Sequence, residues 1–195
     1  MSPILAGLGG ISIRGLGHFG PVRDTGAMFP LQVVTVGAAG ASSVTFTNIP
    51  NTYAHLQIRG IVRSGSTSAG LGIVIPTLNS DTTSSNYVKH GLQGNGTSAT
   101  AFGYTSDRGF DLAIRNSATA STYSGLVVDI LDYANSNKYK TLRCFGGFDA
   151  NGSGQIILTS NLWMSTSAIT SVSFALEANS FVQYSQFALY GIRSA

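Results

Sequence analysis

Apolar and polar residues alternate along this chain in short runs, and turn residues separate the runs. Over 55–63, Leu56, Ile58, Gly60 and Val62 fall on one side, and His55, Gln57, Arg59, Ile61 and Arg63 on the other. A period of two with one dry and one wet face marks a half-buried strand. The same pattern predicts strands at 31–37, 43–49, 71–78, 87–92, 111–116, 123–133, 140–148, 155–164, 171–177 and 186–192. In 43–49, Val44, Phe46 and Asn48 face one way, and Thr45 and Thr47 the other. Gly37-Ala-Ala-Gly40, between the first two runs, predicts a hairpin. Clusters of Gly, Asn and Ser at 64–70, 94–96, 135–137 and 151–154 punctuate the rest. No stretch carries a helical period, and the Ala-containing stretches are loaded with Ser, Thr and Gly, which favour other conformations. Many short strands without intervening helices predict an all-β fold. The expected architecture is an antiparallel β-sandwich of the jelly-roll type, although strand count alone leaves a barrel open.

Residues 1–30 have a different character. They combine apolar side chains with many glycines and show neither period. The glycines make a helix costly in backbone entropy. The apolar content exceeds that of a solvated linker. This segment therefore reads as a docking arm that orders against another subunit, with residues 31–195 forming the β-sandwich domain. Ile4, Leu5, Leu8, Ile11, Ile13, Leu16 and Phe19 are its candidate partner-docking residues. The opening lacks the basic n-region of a signal peptide, and Gly7, Gly9 and Gly10 break its apolar run. Nothing approaches the ~20 apolar residues of a spanning helix, so no membrane insertion is expected.

Composition sharpens the picture. Only 10% of the residues are charged, where a soluble domain usually has about 25%. Surfaces normally stay soluble through mixed charges, so a chain that omits them expects neighbours to cover it. The net charge of +3 is mild, and no run of Lys or Arg exists. Nucleic acid is therefore not an expected partner. The lone Cys144 excludes an internal disulfide and, within an apolar run, reads as a buried thiol.

Chemistry-bearing motifs are weak. Gly15-Leu-Gly17-His-Phe-Gly20 has the letters of a dinucleotide fingerprint but lacks the strand before and the helix after. Asp149-Ala-Asn151-Gly-Ser153-Gly154 starts like a calcium loop, yet Ser160 stands where the closing Glu belongs. Between two strands it reads as a turn. His18, His55 and His90 have no metal-ligand spacing. Asp107, Asp111, Asp129, Asp132, Asp149 and Glu177 form no paired-carboxylate signature. No catalytic residue, cofactor or metal is expected. The remaining candidate is a stacking platform for sugars. Alternation puts Trp163 with Ile157, Thr159 and Asn161, opposite Ile156, Leu158, Ser160, Leu162 and Met164. Trp163 thus shares the more polar side, which predicts a surface or interface position. Asn86, Tyr87, His90, Asn95 and Trp163 are the candidate glycan contacts.

Several segments together resemble a known group. They are Phe46-Thr-Asn-Ile-Pro50 through Tyr53-Ala-His-Leu-Gln-Ile58, then Ser85-Asn-Tyr87 with His90 and Gly94-Asn-Gly96. Asp129-Ile-Leu-Asp-Tyr133, Asn137-Lys-Tyr-Lys-Thr141, Leu162-Trp163 before Ser167-Ala-Ile169, and Phe187-Ala-Leu-Tyr-Gly-Ile192 continue the series. This succession resembles structural and tail-associated virion proteins of tailed bacteriophages, over nearly all of 31–192. Ile13-Arg-Gly-Leu-Gly17 is similar to the short leaders of some phage tail-fibre and tail-tip proteins. The resemblance implies a non-enzymatic virion component, made in the host cytoplasm, with other virion proteins as partners. Because the leader runs straight into the β domain, it implies a short fibre, tip or adaptor that assembles as a homo-oligomer, with a trimer favoured. A glycan-binding host-recognition module and a capsid decoration protein are the alternatives.

Overall fold

The computed structural model describes residues 27–68 and 71–193. Their strands, in chain order, are β1 Met28–Thr35, β2 Ser43–Phe46, β3 His55–Ser64, β4 Leu71–Leu78, β5 Tyr87–Gly94, β6 Ala99–Thr105, β7 Phe110–Arg115, β8 Ser124–Leu131, β9 Lys140–Asp149, β10 Gly154–Trp163, β11 Val172–Leu176 and β12 Gln186–Ile192. One 3₁₀ turn, Ser84–Asn86, leads into β5. The expected all-β sandwich is the fold found. The seven arm candidates, Ile4 to Phe19, and the motif at 15–20 lie outside the described residues.

A large sheet runs β1-β12-β3-β8-β9-β10-β5-β6, with every pair antiparallel. A small sheet runs β2-β11-β4-β7, again antiparallel. β3 joins them at one corner: Val62 still pairs with Ser124 of β8, while Arg63 and Ser64 pair in parallel with Ile114 and Arg115 of β7. Pro76 sits in β4 beyond the end of the β7 pairing, which stops at Val74. Its missing N–H therefore breaks no ladder on that side.

Inner faces follow the alternation. Val44 and Phe46 of β2, Leu56, Ile58 and Val62 of β3, and Leu126, Val128 and Ile130 of β8 are buried. Phe187 of β12 ties the layers together. It stacks on Phe174 of β11 with ring centroids 5.3 Å apart, and Phe181 meets it edge-on at 5.1 Å. Cys144 is buried on β9, and burial raises its thiol pKa.

Four features depart from the sequence reading. The first hairpin does not form: β1 pairs with β12 and β2 with β11, so the 37–40 turn carries the chain between sheets. Gly40 turns there at φ 73° and bonds Gly37, and Ala41 then bridges to Phe181. β1 starts at Met28, so the domain reaches into the segment assigned to the arm. β6 was not expected, because Ala99, Thr100, Ala101 and Gly103 give it no apolar alternation. β5 alone holds it as an edge strand.

Arg63 is the fourth departure, buried rather than wet. Its guanidinium donates to the carbonyls of Asn116, Ala118, Thr119 and Thr122 and to Asn116 Oδ1 at 3.2 Å. Lys89 is also buried; its Nζ lies 2.7 Å from Gly109 O and 2.9 Å from Asp107. Lys140 is fully buried, and its Nζ donates to the carbonyls of Asn135, Lys138 and Thr166 at 2.5, 2.9 and 3.0 Å. An ammonium out of water is tolerable only when its donors are satisfied, and three loop carbonyls do that here. Lys140→Met should leave those carbonyls without their donor and cost about 3 kcal/mol. Urea unfolding of the two proteins checks this, and an unchanged midpoint would show that the cage is dispensable.

Candidate functional site, an apolar sheet face

The small sheet covers part of one face of the large sheet. The registers define what the other face presents. One row crosses all eight strands as Val33, Ala188, Arg59, Val127, Phe145, Leu158, Leu92 and Ala101. The next row reads Thr35, Gln186, Ile61, Gly125, Gly147, Ile156, Gly94 and Ala99. On the far side of the first row lies a polar one, Tyr190, Gln57, Asp129, Arg143, Ser160, His90 and Gly103. From Arg59 to Leu92 the first row is thus a ridge of large side chains, and the second dips to a furrow at its centre, where Gly125 and Gly147 pair between Ile61 and Ile156. Val33, Ile61, Leu92, Phe145, Ile156 and Leu158 keep between 50% and 58% of their surface exposed. A groove of about 730 Å³ runs along the furrow. This contiguous exposed apolar surface makes the outer face the candidate site.

β10 supplies the sharpest correction. Trp163 is buried, and its whole side of the strand goes inward with it. Thr159 and Asn161 follow it inside, and Thr159 Oγ1 and Asn161 Oδ1 find no hydrogen-bond partner there. Ile156 and Leu158 point out. The sequence pattern separated the two sides of β10 correctly, but the side read as exposed is the interior one. Trp163 decides the orientation. Its ring stacks on buried Tyr87 with centroids 6.4 Å apart, and its Nε1 donates to Asp81 Oδ2 at 2.7 Å.

The candidate glycan contacts therefore do not assemble. Tyr87 and Trp163 are interior, with the Tyr87 hydroxyl donating to Asp81 O and accepting from Leu78 N. Asn86 donates to Asp81 Oδ2 at 2.8 Å. Asn95 uses its Oδ1 to accept from Thr97 and Ser98 in the β5–β6 turn. Only His90 reaches the outer face, over Gly103. The Asp149–Gly154 segment is a hairpin turn, as expected: Asn151 and Gly152 have φ of 57° and 109°, and Asn151 N donates to Asp149 Oδ1. Positive φ at both central residues is the type I′ geometry of a tight hairpin.

Sequence pattern alone does not single out the exposed ridge residues Phe145, Leu158 and Leu92. The signal available was the apolar set Ile156, Leu158 and Leu162 in a strand whose other side carries Thr159 and Asn161. Finding it required knowing which side Trp163 occupies.

No family model and no curated protein matches the chain. A solved protein of unknown function from Shewanella oneidensis MR-1 aligns over 88% of this chain and 78% of its own, at 10% identity and a TM-score of 0.23. A likeness at that score carries no argument about fold or role.

Asp81 gives this region a pH dependence. Burial works against its charge, but the Trp163 indole, the Asn86 amide, and the backbone and hydroxyl of Thr83 hold its pKa down to about 2. An unfolded aspartate titrates near ~3.9. Its stabilising contribution is therefore complete above that value and drains away as pH falls through about 2. Asp81→Ala should cost about 2 kcal/mol at neutral pH by stripping the indole and amide of their acceptor. The gap between variant and wild type in urea melts should narrow as pH drops below 4. A gap that stays constant with pH would mean the carboxylate charge is not what holds Trp163.

Proposed function

We propose that this chain is a non-enzymatic structural protein of a tailed-phage virion, tail-associated as a short fibre, tip or adaptor. In this reading residues 1–30 dock it to the particle, and the β-sandwich associates with further copies of itself. The observation that carries the assembly role is the outer face of the large sheet, where ridge and furrow cross eight strands with exposed apolar side chains. A free monomer gains nothing from such a face and is exposed to aggregation by it. The interior cations supply further support. Arg63, Lys89 and Lys140 are spent on holding loop carbonyls and one aspartate rather than on solubility. The phage setting rests on the resemblance of 31–192 and of Ile13-Arg-Gly-Leu-Gly17 to virion proteins.

Deletion of residues 1–26 tests the docking role, and it leaves β1 whole because that strand begins at Met28. The truncated protein should fold and melt like the full chain yet be missing from purified particles. Incorporation at the normal copy number would sink the docking role. Imaging of labelled particles then distinguishes the addresses: a few symmetric copies at the tail support the reading, and capsid-wide decoration overturns it.

A further inference from the structure

We infer that the outer face of the large sheet is the contact between two copies of this chain, related by a two-fold axis that lies along the rows between ridge and furrow. The inference deepens the assembly reading above and rests on it for its setting. Ridge and furrow are neighbouring rows of one face, so a half-turn about the line between them sets each ridge over the other copy's furrow. On β9 the rotation centres on Gly146, and Phe145 lands over Gly147 of the second copy. On β8 it centres on Leu126, and Val127 lands over Gly125. A large side chain meets a glycine at both central strands, and the second copy returns the same contacts. Two sheets stacked in this way lie about 10 Å apart with strands aligned, the usual geometry of packed sheets.

Charge follows the same operation. Two residues farther out on β9, Arg143 falls opposite Asp149 of the second copy, and Asp149 opposite Arg143. Both are exposed on the outer side of β9, and Asp149 is its last residue. The size also fits. Eight strands at about 4.8 Å span about 34 Å, and the four rows from Arg143 to Asp149, three repeats of about 6.8 Å, span about 20 Å. The resulting ~700 Å² is near the ~800 Å² per partner of a standard stable interface.

Gly125 is the most telling residue. Gly147 is demanded from within the chain, because a Cβ there would lie 2.3 Å from the Gln155 carbonyl oxygen. A Cβ on Gly125 would meet nothing within 4 Å. Glycine weakens a strand interior, so its place in β8 needs a reason, and the approach of a large side chain from outside supplies one. A ring of three would have to match two different patches on each chain, whereas ridge and furrow point the same way. The row arrangement therefore favours a pair over the trimer that the phage resemblance implies.

Light scattering coupled to size exclusion, on the full-length chain, reads the outcome. Wild type should be a dimer. Gly125→Phe should be monomeric and melt like wild type diluted until it dissociates, since the monomer has room for the ring. Arg143→Asp and Asp149→Arg should each weaken the dimer at least tenfold, and the double variant should restore it, because every pair joins one residue from each copy. A monomer at every concentration up to the solubility limit overturns the contact, whether or not the chain is found in particles. So does a trimer, a dimer indifferent to Gly125→Phe, or a dimer lost on deleting residues 1–26, which would assign the face to the arm. A dimer that responds as stated but is absent from purified particles leaves the contact standing and sinks the virion role instead.

Discussion

The hydrogen bond from the Trp163 indole to Asp81 decides which way the large sheet faces. A strand has only two sides, and a half-turn of β10 would exchange every side chain between them. Trp163 is the largest side chain on β10, and its ring has a place prepared against Tyr87 with an acceptor for its N–H. The strand takes that orientation although it carries Thr159 and Asn161 inward, where two of their oxygens go unpartnered. Each such group costs roughly 1–3 kcal/mol. Burying Trp163 and Ile157 outweighs that cost. The consequence appears on the opposite side, where Ile156 and Leu158 join Phe145 and Val127 on the solvent face. The interior anchor and the outer apolar face are therefore one fact seen from two sides.

The chain's few charges are disposed in a related way. Among the described residues, three cations sit inside and hold the ends of loops. Arg63 gathers the carbonyls of 116–122, Lys140 closes the loops around 135–138 and 166, and Lys89 clamps 107–109 beneath β5. Each gives backbone oxygens a point of convergence, and such oxygens must find donors wherever water is excluded. The sparse charge of the sequence thus becomes sparser still at the surface, and the ridge keeps a single charged residue, Arg59.

Strands were legible in the sequence because period-two alternation is a local property. The sides of β2, β3 and β10 were separable for the same reason. Partners were not legible. Gly37-Ala-Ala-Gly40 looks like a hairpin turn, yet β1 is claimed by β12, some 150 residues on, and β2 by β11. β6 escaped because Ala99-Thr-Ala-Phe-Gly-Tyr-Thr105 has no dry side of its own; its pairing with β5 makes it a strand. Parity puts Arg63 on the wet side, but β3 turns from one sheet to the other at that residue and takes the side chain inside. The surface was the least legible part. Tyr87 and Trp163 have the chemistry of a sugar platform, and the same flat rings with polar handles also suit an interior stack capped by an aspartate. Local pattern cannot choose between those uses, since the choice depends on Asp81, 82 residues before Trp163.

The outer face also bears on why the large sheet is so wide. A sheet of many strands normally curls or splits, and its edges invite pairing with other chains. Here the small sheet spans only part of the inner side, and the β5–β6 end relies on Lys89 packed against the rings of Phe102 and Tyr104 for cover. Width without matching interior cover contributes little to the stability of a single chain. It does contribute continuous rows, and rows of ridge and furrow are useful only to something laid across them. Glycine at Gly125, in open space within a strand that its absence would strengthen, fits a sheet whose outer rows are shaped for contact rather than for water.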